Sequence, residues 1–453
     1  MATHQQPAPS RGVPGTPRAE TADRLPPRTL PLLYYGTAHV ALALACAMVG
    51  LAPRAAAGFF YHAWMVAIVH LVTLGWITSS ILGSLYLVGP MALGVPMPAR
   101  RADYAAYGLV VLGLIGMVAH FWIEEFGGMA WSAATVTAGV LYVAGRMAVR
   151  LRGASIPGAV TLHIRLACLN LAIAATMGVL LGFDKVLHFL PGFVLNNVFA
   201  HAHMAALGWA SMMVVGVGYR LLPMVLPSKP PAGRSTYLSA VLLETGVLGL
   251  FVTLLLRSTW TPVFGAFVLA GLAAFLSQVA AMARHRVRRP PEAPRVDFAV
   301  LHAAGAGVWL IAACGIGTVL LVRPMSPDTL RASLAYGTFG LLGFLAQMVV
   351  AMQVRLVPLH AWYAGYAASG FQTPPPNPFT MRDRTLLALS FAAWTFAVPA
   401  IAVGLTYERV LLLAAGAWVL LAGVLIGAVD GAFALRQGMT PPASGDPTAD
   451  PSR

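Results

Sequence analysis

Charge is what this sequence has least of. Only 10% of its 453 residues are Asp, Glu, Lys or Arg, against about 25% in a soluble globular protein. With 58% hydrophobic residues beside it, that deficit excludes a water-soluble chain of this size. Cysteine is scarce too. Cys46, Cys168 and Cys314 are the three, each inside an apolar stretch. They form no CxxC, so no zinc or dithiol pair is implied, and no CxxCH, so no c-type heme is attached. They read as small buried packing residues. The first 31 residues lack the short apolar core of a secretory signal and are polar, with many Pro and Arg. Residues 1–31 are expected to form a disordered cytoplasmic tail, and residues 437–453, ending "TPPASGDPTADPSR", a second one.

What the chain has in abundance is apolar runs of about 20 residues, each long enough to cross a bilayer. They predict twelve spans, near 32–52, 60–90, 104–125, 129–150, 159–183, 194–226, 237–257, 261–284, 298–322, 331–358, 385–405 and 409–433. The membrane domain then covers 32–435. Cationic residues prefer the cytoplasmic side of a membrane. With the N-terminus inside, 22 Lys and Arg fall on the inner side and six on the outer, Arg165 lying within a span. That bias predicts a multi-pass protein of the cytoplasmic membrane with both termini in the cytoplasm. It also accounts for the net charge of +14 by topology, so no nucleic-acid partner is implied. Lipid is the expected surrounding.

The chain repeats itself. "HLVTLGWITSSILGSLYLVGP", residues 70–90, and "HMAALGWASMMVVGVGYRLLP", residues 203–223, share a skeleton at an offset of 133. His70, Leu74, Gly75, Trp76, Gly83, Tyr86 and Pro90 match His203, Leu207, Gly208, Trp209, Gly216, Tyr219 and Pro223. A fainter third copy, 336–358, keeps Gly343, Arg355, Leu356 and Pro358, with Tyr336 and Thr338 where His201 and His203 stand. Identities at fixed spacing mark an internal repeat. The copies fall on spans two, six and ten, so each unit has four spans and the units run parallel. The expected fold is an all-α polytopic membrane protein of twelve transmembrane helices in three pseudo-repeated four-helix units, about 32–152, 159–284 and 298–433, related by a pseudo-threefold axis.

Ionisable residues within spans are costly and usually functional. His62, His70, His201 and His203 lie toward the outer half. His39, His163, His302 and His360 lie toward the inner half. His201 and His203 are two residues apart, about 200° around a helix, so they cannot chelate one ion together; they can ligate centres on opposite sides of one helix. A heme needs neutral imidazoles from neighbouring helices and an apolar slot. His70 and His203, equivalent in adjacent units, are the expected axial ligands of a six-coordinate heme b. His201 is the expected ligand of a second centre. His62, about 12 Å above His70 along the axis, is a further candidate metal ligand or a partner of a propionate. For His39, His120, His163, His302 and His360, hydrogen bonds to neighbouring helices are the simpler expectation. Glu244 in span seven is read as either a proton-handling or a hydrogen-bonding carboxyl.

The stretch "HAHMAALGWASMMVVGVGYRLLP" resembles the tenth helix of the catalytic subunit, subunit I, of cbb-type heme–copper oxidases. It has the same His-x-His, Gly-Trp, Gly, Tyr and Pro at the same spacings. The resemblance covers about 25 residues at motif level and most of the chain as architecture. It implies that His203 and His70 hold a low-spin heme and that His201 serves a second heme or an open site. Two features depart from the family: the His-x-His lies on span six rather than ten, and span seven has no histidine, so the usual copper site is not found. The nitrosative-stress membrane heme proteins are similar in having many spans and scattered histidines. The expected function is a membrane b-type heme protein carrying one heme b or two, in respiratory electron transfer or oxygen or nitric oxide chemistry. A cytochrome c or another electron-carrier subunit would be its partner. As an enzyme it would be an oxidoreductase like cytochrome c oxidase or nitric oxide reductase. Two alternatives stay open: a transporter or proton-conducting protein lined by histidines, and a non-catalytic heme- or metal-binding assembly or sensor protein.

Overall fold

A computed structural model describes residues 25–288 and 291–439. Most of both expected tails, residues 1–24 and 440–453, lies outside the described residues, as does Arg289 of the inner cationic set. The chain is an all-helical, multi-pass membrane protein. Among the described residues, twelve helices are long and apolar enough to cross a bilayer: α1 (Leu30–Leu51), α2 (Ala63–Ala92), α3 (Arg101–Trp122), α4 (Phe126–Gly153), α5 (Gly158–Leu187), α6 (Val194–Val225), α7 (Arg234–Leu255), α8 (Thr261–Arg284), α9 (Phe298–Val322), α10 (Pro327–Ala368), α11 (Arg384–Thr406) and α12 (Val410–Met439). Their alternation sets two faces: the N-terminal face, where α1 begins, and the opposite face, where α2 begins.

Helix starts are marked by caps that composition hides. The Asp297 and Asp383 carboxylates each accept two backbone N–H groups at the first turns of α9 and α11, and the Ser326 hydroxyl accepts from Thr329 at the start of α10. Most span limits fall within a few residues of the sequence expectation. Two helices run further. α10 has 42 residues, about 63 Å at 1.5 Å per residue, twice the ~30 Å apolar thickness of a bilayer. Pro358 lies inside it rather than ending it. The continuation is held by packing, because Ala361 forms a small buried cluster with Met381 and Ala434. α12 runs to Met439 because Gly438 lets it lie against α10; a Cβ there would meet Ala361 Cβ at 2.5 Å.

The most extensive helix contacts are α3 with α4, α7 with α8, and α11 with α12. Without a hydrophobic difference between lipid and protein, such pairs rely on close backbone approach. A Cβ on Gly113 would meet the Val136 backbone nitrogen at 2.6 Å.

Three π-helical segments of eight residues interrupt α2, α6 and α10: Leu71–Thr78, Met204–Ser211 and Phe339–Ala346. Each begins one residue after His70, His203 or Thr338. They stand 133 and 135 positions apart, the offsets at which the sequence identities recur. All three touch one another at the centre of the molecule. Trp76 Nε1 on α2 donates to the Ala346 carbonyl of α10 at 3.2 Å. Trp209 Nε1 on α6 donates to Thr78 Oγ1 of α2 at 3.1 Å. The matching tryptophan position on α10 holds Phe344.

Candidate functional site

The π segments bound a central cavity of about 760 Å³ lined by His70, His201, His203 and Tyr336 together with apolar side chains of α1, α2, α5, α6, α10 and α12. That volume lies within the ~300–1,000 Å³ of small-molecule and cofactor sites. Single-turn π insertions recur at functional sites because they re-aim side chains without breaking the helix.

Each histidine is held by its Nδ1. His70 Nδ1 donates to the Val66 carbonyl at 2.7 Å, and His203 Nδ1 donates to the Phe199 carbonyl at 2.8 Å. His201 reaches across to α5, where Nδ1 donates to the Ala174 carbonyl at 3.0 Å. A carbonyl only accepts, so the neutral rings carry their proton on Nδ1 and present the lone pair of Nε2. This is the second-shell arrangement that prepares an imidazole to bind a metal. Gly178 on α5 leaves the space that the His201 ring occupies; a Cβ there would meet His201 Cε1 at 2.9 Å.

The three rings do not face one way. His201 turns toward α5 and lines the same cavity as His70 of α2. His203 turns toward α10, where Tyr336 Oη donates to its Nε2 at 3.3 Å and the two rings stack with centroids 5.8 Å apart. The 200° separation expected from the spacing is therefore realised. His70 stacks on Phe121 of α3. Of the two histidines that match in sequence, His70 thus packs toward α3 and His203 toward α10.

Two cations line the cavity near the opposite face. Lys185, at the end of α5, sits 4.6 Å from the Tyr61 ring centroid and 4.7 Å from that of Phe126. Arg323 caps the end of α9, and both residues contribute to the cavity wall. Neither was singled out by sequence reasoning, because cations at span ends are ordinary; only the fold puts both on one mouth. His62 does not join the cavity. It caps α2, its Nδ1 accepting from the Met65 backbone at 3.3 Å, and its Nε2 is buried without a partner. Among the described residues, no three His, Cys, Asp or Glu side chains are grouped to hold a metal ion. His62 therefore belongs to no such group.

Glu244 has a specific partner that the sequence did not disclose. Asn170 on α5, fully buried, donates from Nδ2 to Glu244 Oε2 at 2.8 Å and to the Gly208 carbonyl at 3.1 Å. Gly208 lies in the π segment of α6, so the carboxyl is tied through one amide to the helix that carries His201 and His203. Of the inner histidines, His163 bonds across to Ser239 at 3.1 Å, and His360 Nε2 donates to the Arg28 carbonyl at 3.0 Å. Compared with protein-family models and with curated proteins, the chain matches none.

Proposed function

We propose that this chain is a membrane b-type heme protein in which His70 on α2 and His201 on α6 are the axial ligands of one heme. The supporting observation is the pair itself: two imidazoles from different helices, each anchored at Nδ1 by a carbonyl, on the wall of one largely apolar cavity. Such a cavity suits a porphyrin, and Lys185 and Arg323 on its wall suit the two carboxylates that a porphyrin carries. This pairing replaces the one that the repeat suggests. What favours His201 over His203 is that Tyr336 Oη already donates to His203 Nε2, whereas His201 Nε2 has no such partner. His203, bonded to Tyr336, is then the ligand of a second centre or the orienting partner of that phenol.

Bound heme would supply one-electron redox chemistry or binding of a diatomic gas. The chain's own contribution is to fix the ring tautomers through the Val66 and Ala174 carbonyls, to exclude water with apolar walls, and to hold a phenol proton at Tyr336 beside His203. A place in respiratory electron transfer or in oxygen or nitric oxide chemistry follows from this reading, with an electron-carrier protein such as a cytochrome c as donor. The cytoplasmic membrane, with both termini inside, follows from the cationic bias.

The test is optical and spin-resonance spectroscopy on membranes and purified protein. The wild type should show a Soret band and a low-spin signal. His70→Ala and His201→Ala should each abolish the low-spin signal, and His203→Ala should retain it. Loss in His203→Ala with retention in His201→Ala would restore the pairing read from the repeat. Absence of heme from the wild type would end the proposal and leave the cavity to a transport function.

A further inference from the structure

A second cavity, of about 210 Å³, lies toward the N-terminal face. It shares no ligand candidate with the first. His39 of α1, His302 of α9, Gln353 of α10, Arg382 just before α11 and Asp430 of α12 contribute its polar wall. Trp76 and Trp394, both fully buried, are also on its wall, and their rings lie 6.3 Å apart. Arg382 Nε lies 2.5 Å from Asp430 Oδ2, so these two charges cancel. The Asp383 backbone N–H adds a bond to Asp430 Oδ1 at 2.9 Å.

The proton positions on the two histidines follow from a chain of bonds. Trp309 Nε1 can only donate, and it donates to Gln347 Oε1 at 3.0 Å. That fixes the amide, so Gln347 Nε2 donates to His302 Nδ1 at 3.3 Å. His302 must then carry its proton on Nε2, and this N–H is buried without a partner. His39 is the reverse. Its Nδ1 donates to the Tyr35 carbonyl at 2.9 Å, leaving Nε2 as a bare acceptor. One cavity thus presents a fixed donor, a fixed acceptor and a neutralised ion pair. A buried donor without a partner is costly, and a water bonded to it removes that cost. The cavity has room for water between these two nitrogens and the ion pair.

We propose that this cavity is a hydrated proton-accepting site reached from the N-terminal face, in which His302 Nε2–H orders the water and His39 Nε2 takes up the proton. Its location between α1, α9, α10, α11 and α12 is independent of the heme reading. The groups facing His39 are Tyr35 on its own helix, Trp76 from α2, His302 from α9, Gln353 from α10, Arg382 before α11 and Asp430 from α12. Only His39 among them is neutral with a free lone pair on nitrogen, so protonation there gives the cavity a net positive charge.

Substituted cysteines test this in the full chain, in lipid nanodiscs, with Cys46, Cys168 and Cys314 replaced by Ala. Gly427 and Gly36 both line the cavity. A Cβ on Gly427 would meet only Ser390 Oγ, at 3.7 Å, and one on Gly36 nothing within 4 Å, so both positions accept Cys. Each variant is treated with a trimethylammonium-ethyl and with a neutral methyl methanethiosulfonate. Because the thiolate fraction cancels in the ratio of the two rates, the ratio reads the charge of the cavity. Both reagents should react. The cationic-to-neutral ratio should fall on the order of tenfold between pH 8 and pH 5, the effect of one nearby unit charge in a partly polar surrounding. His39→Gln should flatten that titration, whereas His302→Gln, which keeps an N–H donor, should preserve it. Reaction with N-phenylmaleimide alone would make the cavity lipid-filled and overturn the proposal. So would a lack of reaction with every reagent, a ratio that does not change with pH, or a titration that survives His39→Gln.

Discussion

Arg146→Met probes how the first four-helix unit is closed at its N-terminal face. Asp103, at the start of α3, is fully buried, and the Arg146 side chain from α4 is 10% exposed. The carboxylate receives Tyr86 Oη from α2 at 2.7 Å and the Arg100 backbone N–H at 2.6 Å, with the Arg146 guanidinium as its counter-charge. Arg146 also donates to the Pro98 carbonyl at 2.6 Å. Removing one partner of a buried pair costs about 3–5 kcal/mol, because a charge is left uncompensated. Two neutral donors remain on Asp103 here, so the lower end applies: about 3 kcal/mol, or roughly a hundredfold in the folded-to-unfolded ratio. The double variant Asp103→Leu, Arg146→Met removes both charges. It should recover most of that loss, since an apolar pair of similar volume is often neutral or better. The assay is reversible unfolding in mixed micelles with increasing dodecyl sulfate, followed by tryptophan fluorescence. A single variant costing less than about 1 kcal/mol, or a double variant as costly as the single, would refute the reasoning.

Glu244→Gln should keep the heme spectrum and the fold, because the Gln carbonyl still accepts from Asn170, whereas Asn170→Leu should disturb the low-spin signal by releasing the Gly208 carbonyl; equal spectra for both would remove Asn170 from any positioning role. Reporter fusions after Arg152 and Arg295 should read cytoplasmic and one after Lys185 external. A cytoplasmic reading at Lys185 would reverse the assignment of the mouth cations to the outer side.

The twelve-helix architecture was legible in the sequence because burial in lipid is a one-dimensional constraint. About 20 apolar residues must run together, and nothing distant has to be known. The repeat was legible for the same reason: identities at an offset of 133 need no geometry, and the π segments at Leu71 and Met204 fall at that same offset. Helix continuation past Pro358 was not legible. It depends on Ala361, Met381 and Ala434 meeting across the chain, and local proline chemistry points the other way.

The sequence by itself determined that His201 and His203 must diverge, since 3.6 residues per turn separates neighbours at i and i+2 by more than half a circle. Only the tertiary structure decided what each one meets. His201 finds the Ala174 carbonyl, while His203 finds Tyr336. The motif treats His70 and His203 as a pair because they share a skeleton, and a shared skeleton does not say which neighbouring helix each ring meets. Packing also puts Lys185 and Arg323 on the wall of one cavity and His39 and His302 on that of another, residues far apart in sequence whose side chains carry no signal until the helices that hold them pack.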